Sequence, residues 1–220
     1  MDFIEPLKYP LKDLKKLVIG GLLIFPGMIL LLIPLLMAIG YSIKAAGDTV
    51  RGKDELPEFD DWGYFLKKGL GYIGVNIVYG IIICVPLILV IILSLTLIDV
   101  IGEENIALMI LGVGLLLFAF LLMSIWEFIE MIALVRYGEK ENIKATFAFR
   151  KIFENLKANL RDYIIGAIIL FALGIVWYIV LTIAIMTIIG IIFTGILTFY
   201  ILLVEFRMFA QIYKGSKDKV

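Results

Sequence analysis

The sequence predicts an all-α integral membrane protein. It expects four spanning helices, a Pro/Gly-interrupted N-terminal membrane segment (spanning or re-entrant) and two cytoplasmic-side amphipathic interfacial helices. Three observations carry this. Hydrophobic residues make up 62 % of the 220, with a mean hydropathy of +1.06, whereas a soluble domain is roughly 45–50 % apolar. Charge-free runs recur at lengths that match a bilayer. Finally, twenty Lys and Arg balance twenty Asp and Glu in number, but the basic residues gather on one side of those runs.

The elements follow in order. Residues 1–16 mix Pro6 and Pro10 with four lysines, and Leu7, Leu11, Leu14 and Val18 recur at three- and four-residue steps, the spacing of a short interfacial helix. Charge continues through Lys15 and Lys16, and the apolar run behind them is longer than a signal-peptide core, so no cleaved leader is expected. Residues 17–43 are 27 uncharged positions broken by Gly20-Gly21, Pro26-Gly27 and Pro34. Straight, this run spans a membrane; folded at Pro26-Gly27, it enters and returns. Both readings stay open at this point.

The stretch 56–72 reads as a turn, then a helix lying flat on the membrane, then a descent into it. Pro57 ends the loop, and Asp60 or Asp61 caps the helix. Trp62, Phe65, Leu66, Gly69, Leu70 and Ile73 share one face, with Lys67 and Lys68 to the side. Runs 69–98 and 105–126, with 30 and 22 uncharged residues, each make one spanning helix. A second surface helix presents Phe149, Ile152, Phe153, Leu156, Leu160 and Ile164, flanked by Arg150, Lys151 and Lys157. Run 163–204 holds 42 residues without a charge, about 63 Å as helix or twice a bilayer core. It must be two helices, with a turn expected near 186–190 where Gly190 takes a positive φ.

Orientation follows the basic residues. The loop 99–105 carries acids and no Lys or Arg, while sixteen of the twenty basic residues fall on the other side. That side is expected to be cytoplasmic, in the cell membrane, with the C-terminus there. Lys8, Lys12, Lys15 and Lys16 precede the first segment and join it only if that segment re-enters.

We read 1–220 as a single membrane domain whose halves, 17–98 and 106–186, follow one plan, with a final helix 189–213. The basic exits Gly40-Tyr41 with Lys44 and Arg51, and Arg136-Tyr137-Gly138 with Lys140, correspond. Both halves run the same way through the membrane, as a parallel repeat does. Any pair of helix-loop-helix units also looks like this, so duplication and coincidence both stay open.

Lys8-Tyr9-Pro10-Leu11-Lys12-Asp13, Gly40-Tyr41, Leu56-Pro57-Glu58-Phe59-Asp60-Asp61-Trp62-Gly63, Gly69-Leu70 and Gln211-Ile212-Tyr213 together resemble an uncharacterised prokaryotic membrane family, domain of unknown function 4013. The resemblance covers nearly the whole chain, and the element 57–63 is its most specific part. It implies a multi-pass membrane protein of largely archaeal distribution and supplies no activity or catalytic residue.

The chemistry is narrowed by what is missing. The chain has no histidine, which removes Ser-His and Cys-His nucleophilic pairs, His-bound zinc and haem, and the commonest general base. One cysteine, Cys84, excludes an internal disulfide and is expected as a buried small hydrophobe. Gly69-Leu70-Gly71-Tyr72-Ile73-Gly74 matches the dinucleotide pattern by letter but lacks the preceding strand, so close packing is expected there. No cofactor is expected. A divalent cation on Asp54, Glu55, Glu58, Asp60 and Asp61 lacks any fixed ligand spacing.

The candidate polar cluster is Glu127, Glu130, Glu205, Asn76, Arg136 and Arg207. Acids in membrane helices mark ion or proton paths, while an interfacial ion-pair belt explains the same residues. Trp62, Tyr64, Tyr72, Trp126, Tyr137, Tyr163, Tyr200 and Tyr213 fit an aromatic belt. Tyr178 lies deep in its segment and is expected to face another helix, with Thr182, Thr187, Thr194 or Thr198 as partner. No two glycines stand four apart, so a glycine zipper for dimers has no support.

The reading is a non-enzymatic membrane scaffold or lipid-interacting protein. The alternative is a small ion or solute transporter or channel using the carboxylates. An enzyme acting on lipid headgroups lacks the motifs it needs. Expected partners are membrane lipids and a second copy or another membrane protein, not nucleic acid.

Overall fold

The computed structural model describes residues 2–29, 32–101, 105–184 and 187–217. Among them there are helices and no strand: α1 (Glu5–Lys8), α2 (Leu14–Ile29), α3 (Leu32–Val50), α4 (Trp62–Thr96), α5 (Ile106–Lys140), α6 (Phe149–Ala158), α7 (Leu160–Ala184) and α8 (Ile188–Lys217). Short 3-10 turns follow α1 and α5, and a π turn, Leu97–Ile101, follows α4. Four helical stretches are long and apolar enough to cross a membrane: Trp62–Asp99, Ile106–Lys140, Leu160–Ala184 and Phe193–Gly215. The protein is therefore an all-α multi-pass membrane protein.

The chain divides into two compact units, residues 1–73 with 131–220, and residues 74–130. In the larger unit α8 is the post. More than half of its apolar window (56 %) is buried, against 6 % of that of α7, because α2, α3 and α7 all pack on it. The segment 17–43 does not cross once. Lys16, at the start of α2, donates to Leu56 O, and Tyr41, late in α3, donates to Pro57 O. The chain that left this loop at Lys16 has thus come back to it by Tyr41, so α2 and α3 fold back on each other, the arrangement that the re-entrant alternative calls for. The same offset of 158 residues links Tyr41 to Phe199 and Thr49 to Arg207, which sets α3 parallel to α8. Trp177 to Thr198 and Tyr163 to Phe209 set α7 antiparallel to it.

Glycines let these helices touch. A Cβ on Gly40 would strike Phe65 O, and one on Gly69 would strike Leu36 O, so α3 and α4 meet backbone to backbone. Gly47 and Gly138 do the same for α3 and α5, and Gly20 lies under the Phe199 ring. Each pairs glycines or rings from different helices, which a search for four-residue spacing within one helix does not see. Gly69 and Gly71 are packing positions in α4, with Leu36 and Tyr137 against them.

In the smaller unit, Trp126 Nε1 donates to Tyr79 O at 3.0 Å, and Gly112 meets Ser94 and Ile98. These contacts make residues 74–96 and 106–130 an antiparallel pair whose outward residues are apolar.

Several expectations are corrected. No break separates a surface helix at 62–73 from the span behind it, since α4 runs unbroken from Trp62 and Asp61 caps it through Tyr64 N at 2.9 Å. Lys68 is not on a flank but buried, while Leu70 points out. Cys84 is exposed, a placement that hydrocarbon tolerates for an apolar thiol. Tyr178 is also exposed; one residue earlier, about 100° round the helix, Trp177 Nε1 donates to Thr198 Oγ1 at 2.9 Å. The expected reversal at 186–190 is described only in part, since Met186 lies outside the described residues. Gly190 sits inside α8 without a positive φ, against Ala184 O. Positive φ occurs instead at Gly52 and Glu141.

Candidate functional site

The larger unit carries three polar nodes where its helix ends meet. The first centres on Arg207 of α8, 3 % exposed. Its Nε and Nη2 donate to the two Glu5 oxygens at 3.1 and 2.9 Å, and Nη2 also reaches Asp54 at 2.6 Å. Nη1 donates to Thr49 Oγ1 at 2.8 Å and Lys53 O at 3.0 Å. A guanidinium has five N–H groups, and all five are used. Its face rests 4.2 Å over the Tyr9 ring. Glu5 also accepts from Gln211 and Lys12. Burial pushes the Glu5 carboxyl up, but the hydrogen bonds and charges of Arg207 and Lys12 outweigh it and leave the group below its ordinary 4.5. Asp54 is lowered chiefly by its Arg207 bond. This node pins the N-terminal segment and the loop after α3 to α8.

The second node is built on Glu141, whose φ of 56° places a non-glycine residue in the left-handed region. The backbone there closes α5, with Glu141 N donating to Tyr137 O at 3.1 Å. The carboxylate takes Tyr64 OH at 2.6 Å, Lys68 Nζ at 2.8 Å and Arg51 at 3.5 Å. Lys68 also lies 4.0 Å over the Tyr137 ring. Arg51 pairs with Asp48 at 2.7 Å and caps α5 through Gly138 O and Glu139 O at 3.1 and 3.0 Å. Burial raises the Glu141 carboxyl, and the bonds from Lys68 and Tyr64 with the Arg51 charge bring it below the ordinary value.

The third node joins α5, α6, α7 and α8. Arg136 donates to Tyr213 OH at 2.9 Å and Ala145 O at 3.2 Å. Asn155 and Asn159 dock on α8 through Tyr213 O and Ile212 O at 3.1 and 3.0 Å, and Tyr163 OH donates to Asn155 at 2.6 Å. Tyr137, Tyr163 and Tyr213, expected in a lipid-facing belt, are buried inside these nodes, because a sunken phenol needs a partner. Of that belt Trp62 does face outward.

The predicted cluster divides accordingly. Arg136 and Arg207 are node centres in the larger unit, and Glu205 lies half-buried on α8. Asn76, Glu127 and Glu130 belong to the smaller unit, where Glu127 is exposed and Glu130 Oε1 is buried without a hydrogen-bond partner. Glu5 and Glu141 were missed, and Asp54 was weighed only as a cation ligand. They lie outside the apolar runs, and only their neighbours (Pro6, the turn after α3, the glycine before the α5 end) hint at structure there.

The loop acids are dispersed: Asp54 to Arg207, Glu58 to Lys16 and Asp61 to the α4 start. Among the described residues no three carboxylates group to hold a metal. A groove of about 520 Å³ lies between α2 and the loop, lined by Asp13, Lys15, Lys16, Ile19, Glu58, Phe59 and Asp60. Lys16 sits in it with Glu58 at 2.6 Å and Asp13 at 3.4 Å.

The family model described as Protein of unknown function (DUF4013) matches residues 23–186. No curated protein and no solved structure matches.

Proposed function

The chain belongs to the DUF4013 family of proteins of unknown function, and from that premise we propose that it is a non-enzymatic, lipid-interacting scaffold of the cell membrane. One observation carries this reading. The buried charged side chains described, Asp48, Lys68, Arg136 and Arg207, all take their partners from within the chain. Such charge ties helix ends together in the larger unit, where no buried charged side chain among the described residues is left over for a substrate. The basic end is cytoplasmic, with the C-terminus. The return of α2–α3 supports this by adding the four N-terminal lysines to that side. Reconstitution into liposomes tests the role: the protein changes vesicle shape or lipid distribution, or recruits a partner, and vesicles unchanged on all three counts overturn it.

A second reading, a small ion or solute transporter, is favoured by one observation, the unpartnered Glu130 Oε1 within a spanning helix beside Glu127. Flux into proteoliposomes that falls in Glu127→Gln, Glu130→Gln and Glu205→Gln variants would support it.

A further inference from the structure

We propose that the groove between the first turns of α2 and the loop 58–60 binds a phospholipid headgroup that carries both a phosphate and an ammonium. The proposal rests on the lipid-interacting reading above and names the lipid class.

The groove's charges are arranged in two tiers. At its floor Lys16 is held by Glu58, Asp13 and Leu56 O, the last at 2.9 Å, so this cation is spoken for. At its rims stand two exposed charges of opposite sign, Lys15 on α2 and Asp60 on the loop. Among the described residues neither side chain has a partner. An anionic headgroup alone would meet two lysines against three carboxylates, a lining of net charge −1 that disfavours it. A headgroup with both charges fits both rims: phosphate on Lys15, ammonium on Asp60. Phe59 lines the wall between them, fixed by stacking on Tyr41 at 4.2 Å and against Trp62 at 5.4 Å. The volume is within the range of small-ligand sites.

The source is a lipid and not a free solute because of what lies below. Leu14, Val18 and Leu22 are exposed at four-residue steps along α2, on the face that also carries Lys15. They form an apolar track leading from the groove into the hydrocarbon, as an acyl chain needs and a soluble zwitterion does not.

The test uses the full chain in nanodiscs of phosphatidylethanolamine and phosphatidylglycerol in equal amounts, with lipid retention read by native mass spectrometry. Retention of phosphatidylethanolamine over phosphatidylglycerol is expected, falling about fivefold, or about 1 kcal/mol, in Lys15→Gln and in Asp60→Asn. Both variants should melt with the parent, since neither side chain holds anything in the fold. Glycerophosphoethanolamine should compete weakly; if it displaces the lipid fully at equal concentration, the site is for a solute. Equal retention of the two lipids, or retention unchanged in both variants, overturns the proposal. Vesicle remodelling measured in the same variants separates the readings: remodelling without selective retention leaves the scaffold and removes this site.

Discussion

Arg207 and Glu5 stand 202 residues apart in sequence and are joined by two hydrogen bonds, of 2.9 and 3.1 Å. The contact clamps the N-terminal segment to the last helix, and the other three guanidinium donors fix the last turn of α3 and the loop after it. Lysine has three donors and no fork, so Arg207→Lys leaves acceptors unfilled. Arg207→Met leaves Glu5 half-buried beside a hydrophobe. We expect a loss of about 3–5 kcal/mol for Arg207→Met and less for Arg207→Lys, read as melting in detergent. Early proteolysis within residues 2–12 should accompany it.

Acid should open the same clamp. The Glu5 carboxyl is lowered from 4.5 in the fold, so its contribution is present above the unfolded value. It is lost as the pH falls below 4.5 through the folded value. The segment 5–12, followed by backbone deuterium exchange corrected for the intrinsic rate at each pH, should label slowly at neutral pH and faster below about 4.5. In Glu5→Gln it should label fast at both, and an acid response that survives this change would assign the switch to another group.

How much of this was legible differs by residue. The apolar runs announced α4, α5, α7 and α8 because hydrocarbon imposes length and polarity together. Lys68 was misread because a helical wheel assigns lysine to water, and the partner that lets it turn inward, Glu141, lies far along the chain in another loop. The crossing of Gly47 with Gly138 is equally non-local. A cap at Asp60 or Asp61 was legible, since capping is decided within four residues, and the structure uses Asp61. The polar cluster was sought inside the spans, whereas the Arg207 and Glu141 nodes draw their acids from segments outside the apolar runs.

Glu141 sets backbone strain against charge. Glu141→Gly relieves about 1–2 kcal/mol of left-handed cost but leaves Lys68, 4 % exposed, without its carboxylate. The second effect, about 3–5 kcal/mol, wins. Glu141→Gly should therefore melt lower than the parent, and adding Lys68→Met should recover much of the loss. A thermal double-mutant cycle showing no coupling would break the link between these residues.

Glycine substitutions should separate by what the new methyl meets. Gly47→Ala drives Cβ into Gly138 O, and Gly40→Ala into Phe65 O, both rigid backbone. Each should cost about 1–3 kcal/mol. Gly174→Ala meets nothing within 4 Å and should be neutral or stabilising by up to about 1 kcal/mol through helix propensity. Melting temperatures in one detergent rank the three, and an equal loss at Gly174 would contradict the packing argument.

Glu130 decides between the two functional readings. Its Oε1 is buried and unpaired, three residues from Glu127 on the same helix. A purely structural carboxyl so placed is a liability, because desolvation is not offset by a bond. Glu130→Gln then keeps or raises the melting temperature, and neither parent nor variant conducts ions in proteoliposomes, which is the outcome we expect. If the parent carries protons or cations and Glu130→Gln abolishes the flux while still folding, the cost of burying that oxygen is explained by transport.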